Sequence, residues 1–273
     1  MPVSASHFPR RTFFVLAVAL LAGNLASLPM LDAQAIPSGT VTMWLLYTAI
    51  SLPVIAAGIW MAQRSGLGFP ILDAPDALAL LRQVPGLLLH AGFWAALWSG
   101  VLLLLNITGT PPVPFAWWKT LLASFDAGIQ EEITYRLFVM SLLAWLGFSL
   151  AGRKEKSRPA VMWGAIVVSA ALFAVAHVDA PAGRAAAAPA AALMDRAVAV
   201  GVLGMILGWL YWRHGLATAI VTHVAVDALW LSLVQPFAMR AGLAGRVLIL
   251  VLLLAVAALC LVLLRRRRFP PNG

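Results

Sequence analysis

Two adjacent glutamates, Glu131 and Glu132, stand in a chain that contains only three. Arg136 follows one helical turn later, and two histidines come further along, His177 and His223, the second with Asp227 four residues on. These residue types suit hydrolysis. A carboxylate can act as general base on a water, and imidazoles can hold that water or stabilise a developing oxyanion. On a helix, residues four apart share a face. Glu132 and Arg136 are so spaced and can neutralise each other. Glu131 lies about 100° around from Glu132 and meets Tyr135, not a cation, at its own fourth position. One carboxylate is therefore structural and the other is left for chemistry. Phe173 precedes His177 by one turn, setting a ring below the imidazole. His223 and Asp227 are paired in the same way, so the aspartate either orients the ring or joins it in binding a polar group.

Taken singly, each of these features has a plainer explanation. A Glu–Arg pair can be packing glue, a histidine at a helix end can be interfacial, and a His–Asp pair can be buried and satisfied. Their concentration favours a site, because charged groups in apolar helices are costly and mark function by default. Other chemistries lack their signatures: there is no G-x-S-x-G elbow, no H-E-x-x-H and no phosphate-cradling glycine loop. The single cysteine, Cys260, lies in an apolar run, so neither an intrachain disulfide nor a cysteine-based metal site is expected. His90 and Asn106 read as packing or interfacial residues. Asp126 and Asp179 are expected just outside the apolar runs that carry the glutamates and His177.

The elements that must position these residues are membrane helices. The chain is 62% hydrophobic and 11% charged, with a mean hydropathy of +0.93, whereas a soluble domain carries about 25% charged residues. A soluble globule, a disordered chain and a nucleic-acid module are excluded despite a net charge of +9. About 20 apolar residues cross the hydrocarbon core, which predicts an all-α polytopic bundle of about eight spans, near 12–31, 42–62, 86–107, 129–150, 160–178, 196–212, 216–235 and 246–264. The polar cluster then falls between spans four, five and seven. Arg10-Arg11, Arg64, Arg82, the 153–158 run, Arg213 and Arg265–Arg268 alternate onto one side, predicting N-in and C-in. Arg184, Arg196, Arg240 and Arg246 fall on the other. The first run, closed by Ala33-Gln34-Ala35, also has the form of a signal peptide.

Two connections carry more than turns. The 66–85 stretch predicts an interfacial segment with a short helix at Ala77–Leu81. The 110–128 stretch, with Pro111-Pro112, Trp117-Trp118 and Lys119, reads as interface, and a break at Gly128 is expected because a helix through it would be too long to cross straight. Residues 179–195 form an Ala/Pro-rich connector. The predicted division is residues 1–114 as N-terminal helices and an interfacial segment, 115–235 as catalytic core, and 236–273 as a last helix with a basic tail.

Three motifs appear in order on separate helices. Glu131-Glu132-Ile133-Thr134-Tyr135-Arg136 fits E-E-x-x-x-R, Phe173 to His177 fits F-x-x-x-H, and His223 to Asp227 fits H-x-x-x-N/D. In this the chain resembles the CAAX protease and bacteriocin-processing family of intramembrane endopeptidases, whose eukaryotic members trim prenylated proteins. The text from Gly208 to Leu216 is similar to bacterial members, and the resemblance spans roughly residues 115–235. It implies Glu131 as general base, His177 holding the same water, His223 with Asp227 at the oxyanion, and Arg136 paired with Glu132. Asp227 stands where prenyl-processing members tend to have Asn. A carboxylate facing an oxyanion is repulsive, so Asp227 is expected either protonated or behind His223, orienting it.

The resulting expectation is a glutamic-type intramembrane endopeptidase acting on a membrane-embedded, membrane-anchored or lipidated protein, in a bacterial cytoplasmic membrane and without nucleic acid. No cofactor is expected. Two histidines and a glutamate suffice to hold zinc, but a glutamate acting on water needs no metal. The alternative is a non-catalytic scaffold or bacteriocin-immunity-type protein that uses the cluster for binding. A transporter would show broken helices in matched halves, and no internal repeat is present. On the predicted orientation Glu131 and His177 lie toward the non-cytoplasmic side, so a site reached from outside or through the bilayer is expected.

Overall fold

A computed structural model describes residues 8–28, 40–105, 116–152, 154–178 and 190–268. Among them, helices account for nearly everything and no strand occurs. The order is α1 (Arg10–Ala26), α2 (Thr40–Arg64), α3 (Ala77–Leu104), α4 (Trp117–Glu131), a π-helical segment (Glu132–Met140) and α5 (Ser141–Leu150). There follow α6 (Arg158–Val178), α7 (Ala190–His214), α8 (Leu216–Leu229), a second π segment (Trp230–Val234), α9 (Gln235–Arg240) and α10 (Leu243–Arg268). Among the described residues, seven helices are long and apolar enough to cross a membrane, and α1, at 17 residues, is an eighth member of the bundle. The chain is a polytopic helical bundle. Ala33-Gln34-Ala35, Asn106, Pro111-Pro112, Asp179, Arg184 and the first part of the 179–195 connector lie outside the described residues.

Two expected breaks are absent. Trp117 to Leu150 is one continuous 34-residue helix, so Gly128 does not end it. Gly128 serves close packing instead: a Cβ there would stand 2.9 Å from the backbone nitrogen of Val224 and 2.6 Å from its Cγ2. The missing side chain lets α4 touch α8 beside His223. Ala77–Leu81 is likewise no separate interfacial helix but the first turns of α3, which runs through Pro85 to Leu104. Asp76 starts it by accepting from the Ala79 N–H at 2.7 Å, an N-cap that satisfies one of the free donors of the first turn. Asp126, expected outside its span, lies within it, against Gly23 of α1.

α7 supplies the floor on which the site is built. Gly204 and Gly208 form a G-x-x-x-G row, and Gly201 extends it by one turn. Cβ atoms on Gly204 and Gly208 would meet Ala170, Phe173 and Ile166 of α6 within 3.0–3.3 Å. Small residues at this spacing let two membrane helices approach closely, where dispersion contacts hold them. The row therefore fixes α6, and with it Phe173 and His177.

Basic residues collect at one end of the bundle. Arg11 donates to the Ala74 carbonyl, and Thr12 donates to Asp73 at 2.6 Å, tying the start of α1 to the α2–α3 connection. Arg158 reaches the Gly66 carbonyl in that connection at 3.1 Å. Gly215, between α7 and α8, packs on Pro70 at φ +88°, leaving no room for a Cβ.

Candidate active site

Glu131 sits about midway along the long Trp117–Leu150 helix, at the junction with the π segment. The sequence motif thus spans a change of helical register, a feature often found at functional sites. Ser141 pins the end of that segment. Its hydroxyl donates to the Arg136 carbonyl five residues back at 3.4 Å and lies 3.0 Å from the Tyr211 hydroxyl of α7. Both Ser141 and Tyr211 are fully buried.

Glu132 and Arg136 form the predicted ion pair, 3.1 Å apart and wholly buried. Arg136 also donates to the Gly204 carbonyl at 3.2 Å and lies over the Phe173 ring, 4.4 Å from its centroid. A buried charge must be paired and hydrogen-bonded to be tolerated, and Arg136 has a carboxylate, a carbonyl and a π face. Phe173 links the helices: its ring meets Tyr135, His177 and His223 at centroid distances of 5.0, 4.5 and 5.8 Å.

Glu132 has a second partner that helical spacing did not suggest. Nδ1 of His223 lies 2.9 Å from Glu132 Oε1, so the ring donates its Nδ1–H to the buried carboxylate. Nε2 then faces two half-buried carboxylates, 3.7 Å from Glu131 Oε2 and 3.7 Å from Asp227 Oδ2. Asp227 is therefore on the open side of the ring, and the orienting role expected of it falls geometrically to Glu132. His177 is fixed similarly. Its Nδ1–H donates to the Phe173 carbonyl at 2.8 Å, leaving Nε2 directed at Glu131 Oε2, 3.6 Å away.

The five groups divide by exposure. Glu132 and His223 are sealed, whereas Glu131, His177 and Asp227 keep 26%, 23% and 23% of their side-chain surface. Three half-buried polar groups thus surround one Nε2 that is locked from behind. Among the described residues, no three His, Cys, Asp or Glu side chains are arranged to hold a metal ion.

Residues 113–229 match the family model for the Type II CAAX prenyl endopeptidase, Rce1-like. This segment is Rce1-like. It contains Glu131, Glu132, Arg136, Phe173, His177, His223 and Asp227, so every sequence-predicted site residue falls within it. No curated protein and no solved structure matches the chain.

Within the Rce1-like segment, several contributors were not singled out from sequence. Gly204 permits the contact of α7 with α6, and Ser141 and Tyr211 hold the π segment. Ser169 donates to the Tyr135 carbonyl at 2.7 Å, joining α6 to that segment. The G-x-x-x-G row of α7 was a readable signal for Gly204. Tyr211 offered a weaker one, a hydroxyl in an apolar helix that must find a partner when buried.

Proposed function

We propose that the chain is an intramembrane endopeptidase of the glutamic type, hydrolysing a peptide bond of a membrane-anchored, lipidated protein. The observation that carries this reading is the pair of fixed imidazole Nε2 atoms at 3.6 and 3.7 Å from one carboxylate oxygen of Glu131. Those separations are too long for direct hydrogen bonds, yet a single water standing above the three atoms can reach all of them. The family match supports the reaction class, since it is a protease family.

In this reading Glu131 takes a proton from the water as its oxygen attacks the peptide carbonyl carbon. His177 accepts the other water proton in a hydrogen bond through Nε2 and so orients the attack. His223, carrying hydrogens on both nitrogens, gives one to Glu132 and offers Nε2–H to the carbonyl oxygen as it becomes an oxyanion. Such a fixed donor is worth about 10²–10³ in rate. The tetrahedral intermediate collapses when the C–N bond breaks, and the leaving nitrogen takes the proton held by Glu131. No step requires a cofactor. Asp227 is best protonated or turned aside while the oxyanion exists, because a second negative charge there opposes it.

The substrate and setting are part of the proposal. The family description names prenyl endopeptidases, and prenylation places a thioether-linked chain on a cysteine near a protein's C-terminus. In this proposal the arginine-rich end of the bundle faces the cytoplasm from a bacterial inner membrane, with both termini inside, a reading supported by the bias of basic residues toward that side. The test uses purified protein and paired peptides ending in C-a-a-X, with and without a prenyl group on the cysteine. Release of the residues after the cysteine from the prenylated peptide alone, undiminished by a metal chelator, is expected. Cleavage of neither peptide, or loss of activity to the chelator that zinc restores, contradicts this reading.

A further inference from the structure

α10 is the least embedded helix of the bundle: only 11% of its membrane window is buried, and it packs chiefly along α3. The seam is tight at Gly92, where a Cβ would stand 3.2 Å from Cys260 Sγ. Toward the arginine-rich end a shallow cleft of about 530 Å³ lies along the seam, lined by Pro85, Leu88, Leu89, Leu263, Arg266 and Arg267. Helical spacing accounts for the lining. Leu263 shares one face of α10 with Arg266 and Arg267, as Pro85 does one face of α3 with Leu88 and Leu89.

The mouth of this apolar slot is cationic. Arg266 and Arg267 stand in it, Arg265 is adjacent, and Arg82 lies one turn before Pro85, all four exposed. Among the described residues no carboxylate pairs with any of them. Repulsion between four like charges favours splaying α10 from α3 at this end, so the seam needs a counter-charge from outside the chain. Guanidinium groups match phosphate oxygens with paired, charge-assisted hydrogen bonds, and basic pockets between membrane helices suit anionic headgroups.

We propose that this cleft binds one anionic phospholipid, its phosphate held between Arg266 and Arg267 and one acyl chain laid over Leu88, Leu89 and Leu263. The bound lipid neutralises the α10 tail and fastens it to α3. A zwitterionic lipid brings its own ammonium against the arginines. Free phosphate has nothing to occupy the apolar wall.

The experiment uses the full chain in phosphatidylcholine nanodiscs. Phosphatidylglycerol, additional phosphatidylcholine of the same chains, or inorganic phosphate is then introduced. Thermal midpoint and lipid retained in native mass spectrometry are read together. Phosphatidylglycerol should raise the midpoint and be retained as one molecule per chain, and the other two additions should do neither. Arg266→Gln with Arg267→Gln should weaken phosphatidylglycerol binding roughly 25-fold, about fivefold for each arginine near the surface. Leu263→Trp fills the slot without altering charge and should expel the lipid. Arg213→Gln, at the same end but outside the cleft, should bind as wild type does. Wild-type binding by the double variant, an equal loss in Arg213→Gln, or a full midpoint shift from inorganic phosphate would each overturn the proposal. If the double variant does not fold, retention of phosphatidylglycerol by Leu263→Trp overturns it instead.

Discussion

His223 is tied through Nδ1 to Glu132, 2.9 Å away on the π segment, and not to the aspartate one turn along its own helix. The two adjacent glutamates thereby do different work. Glu132 is a sealed anchor shared by Arg136 and His223, and Glu131 faces the opening.

This division predicts unequal stability losses. Glu132→Ala leaves Arg136 buried without its carboxylate and should cost about 3–5 kcal/mol, as when one member of a buried ion pair is removed. Glu131→Gln removes no contact shorter than 3.6 Å and should change stability by less than about 1 kcal/mol. Chemical denaturation in micelles measures both. Equal losses would contradict the assignment.

Asp227 gives a second discriminating pair. Asp227→Asn places an amide N–H near Nε2 of His223 and the oxyanion, so the rate should hold or rise. Asp227→Ala removes the opposing charge but supplies no donor, so its turnover should stay below that of the Asn variant by up to about tenfold, part of the worth of an oxyanion donor. Initial rates on one peptide decide. A collapse in the Asn variant would show that the carboxylate itself is needed.

Gly128 sets the distance between Glu131 and His223. Gly128→Val drives a branched side chain into the Val224 backbone, 2.9 Å from where its Cβ must sit, and should cost about 1–3 kcal/mol as overpacking does. Adding Val224→Ala clears only the Cγ2 contact, so activity should stay low in the double variant. Rescue by Val224→Ala would mean that side-chain bulk, not backbone approach, is what the glycine serves.

What the sequence disclosed follows a physical division. Polar groups in apolar helices stand out by their cost, so Glu131, His177, His223 and Asp227 could be named before any geometry was known. Pairs within one helix were legible for the same reason, and Glu132–Arg136 is the clearest. The Glu132–His223 bond was not, because it joins residues 91 positions apart and no periodicity encodes such a meeting. Gly128 misled for a specific reason. Glycine lowers helix propensity, but between membrane helices its absent side chain is also a contact surface, and one sequence does not separate the two uses. Ala77–Leu81 was set within the interfacial 66–85 stretch, whereas it opens α3, which continues through Pro85. The π register left no mark in hydrophobic spacing.

Acid should silence the enzyme. Glu131 accepts a proton from water only while ionised, so activity should fall as pH drops and the carboxylate protonates. The pH profile of kcat/KM, taken down to pH about 4 near the ordinary carboxylate range, tests this. A profile flat to that limit would remove Glu131 from the role of base.

The central claim is that Glu131 activates a water for peptide hydrolysis. It is tested most directly by comparing protein N-termini in host membranes carrying wild type or Glu131→Gln at matched, folded abundance. The account predicts at least one new N-terminus that is present with wild type and missing with the variant, identifying the substrate and the scissile bond together. The same new termini in both membranes would contradict it, leaving the buried cluster as a binding site in a bundle that does not cleave.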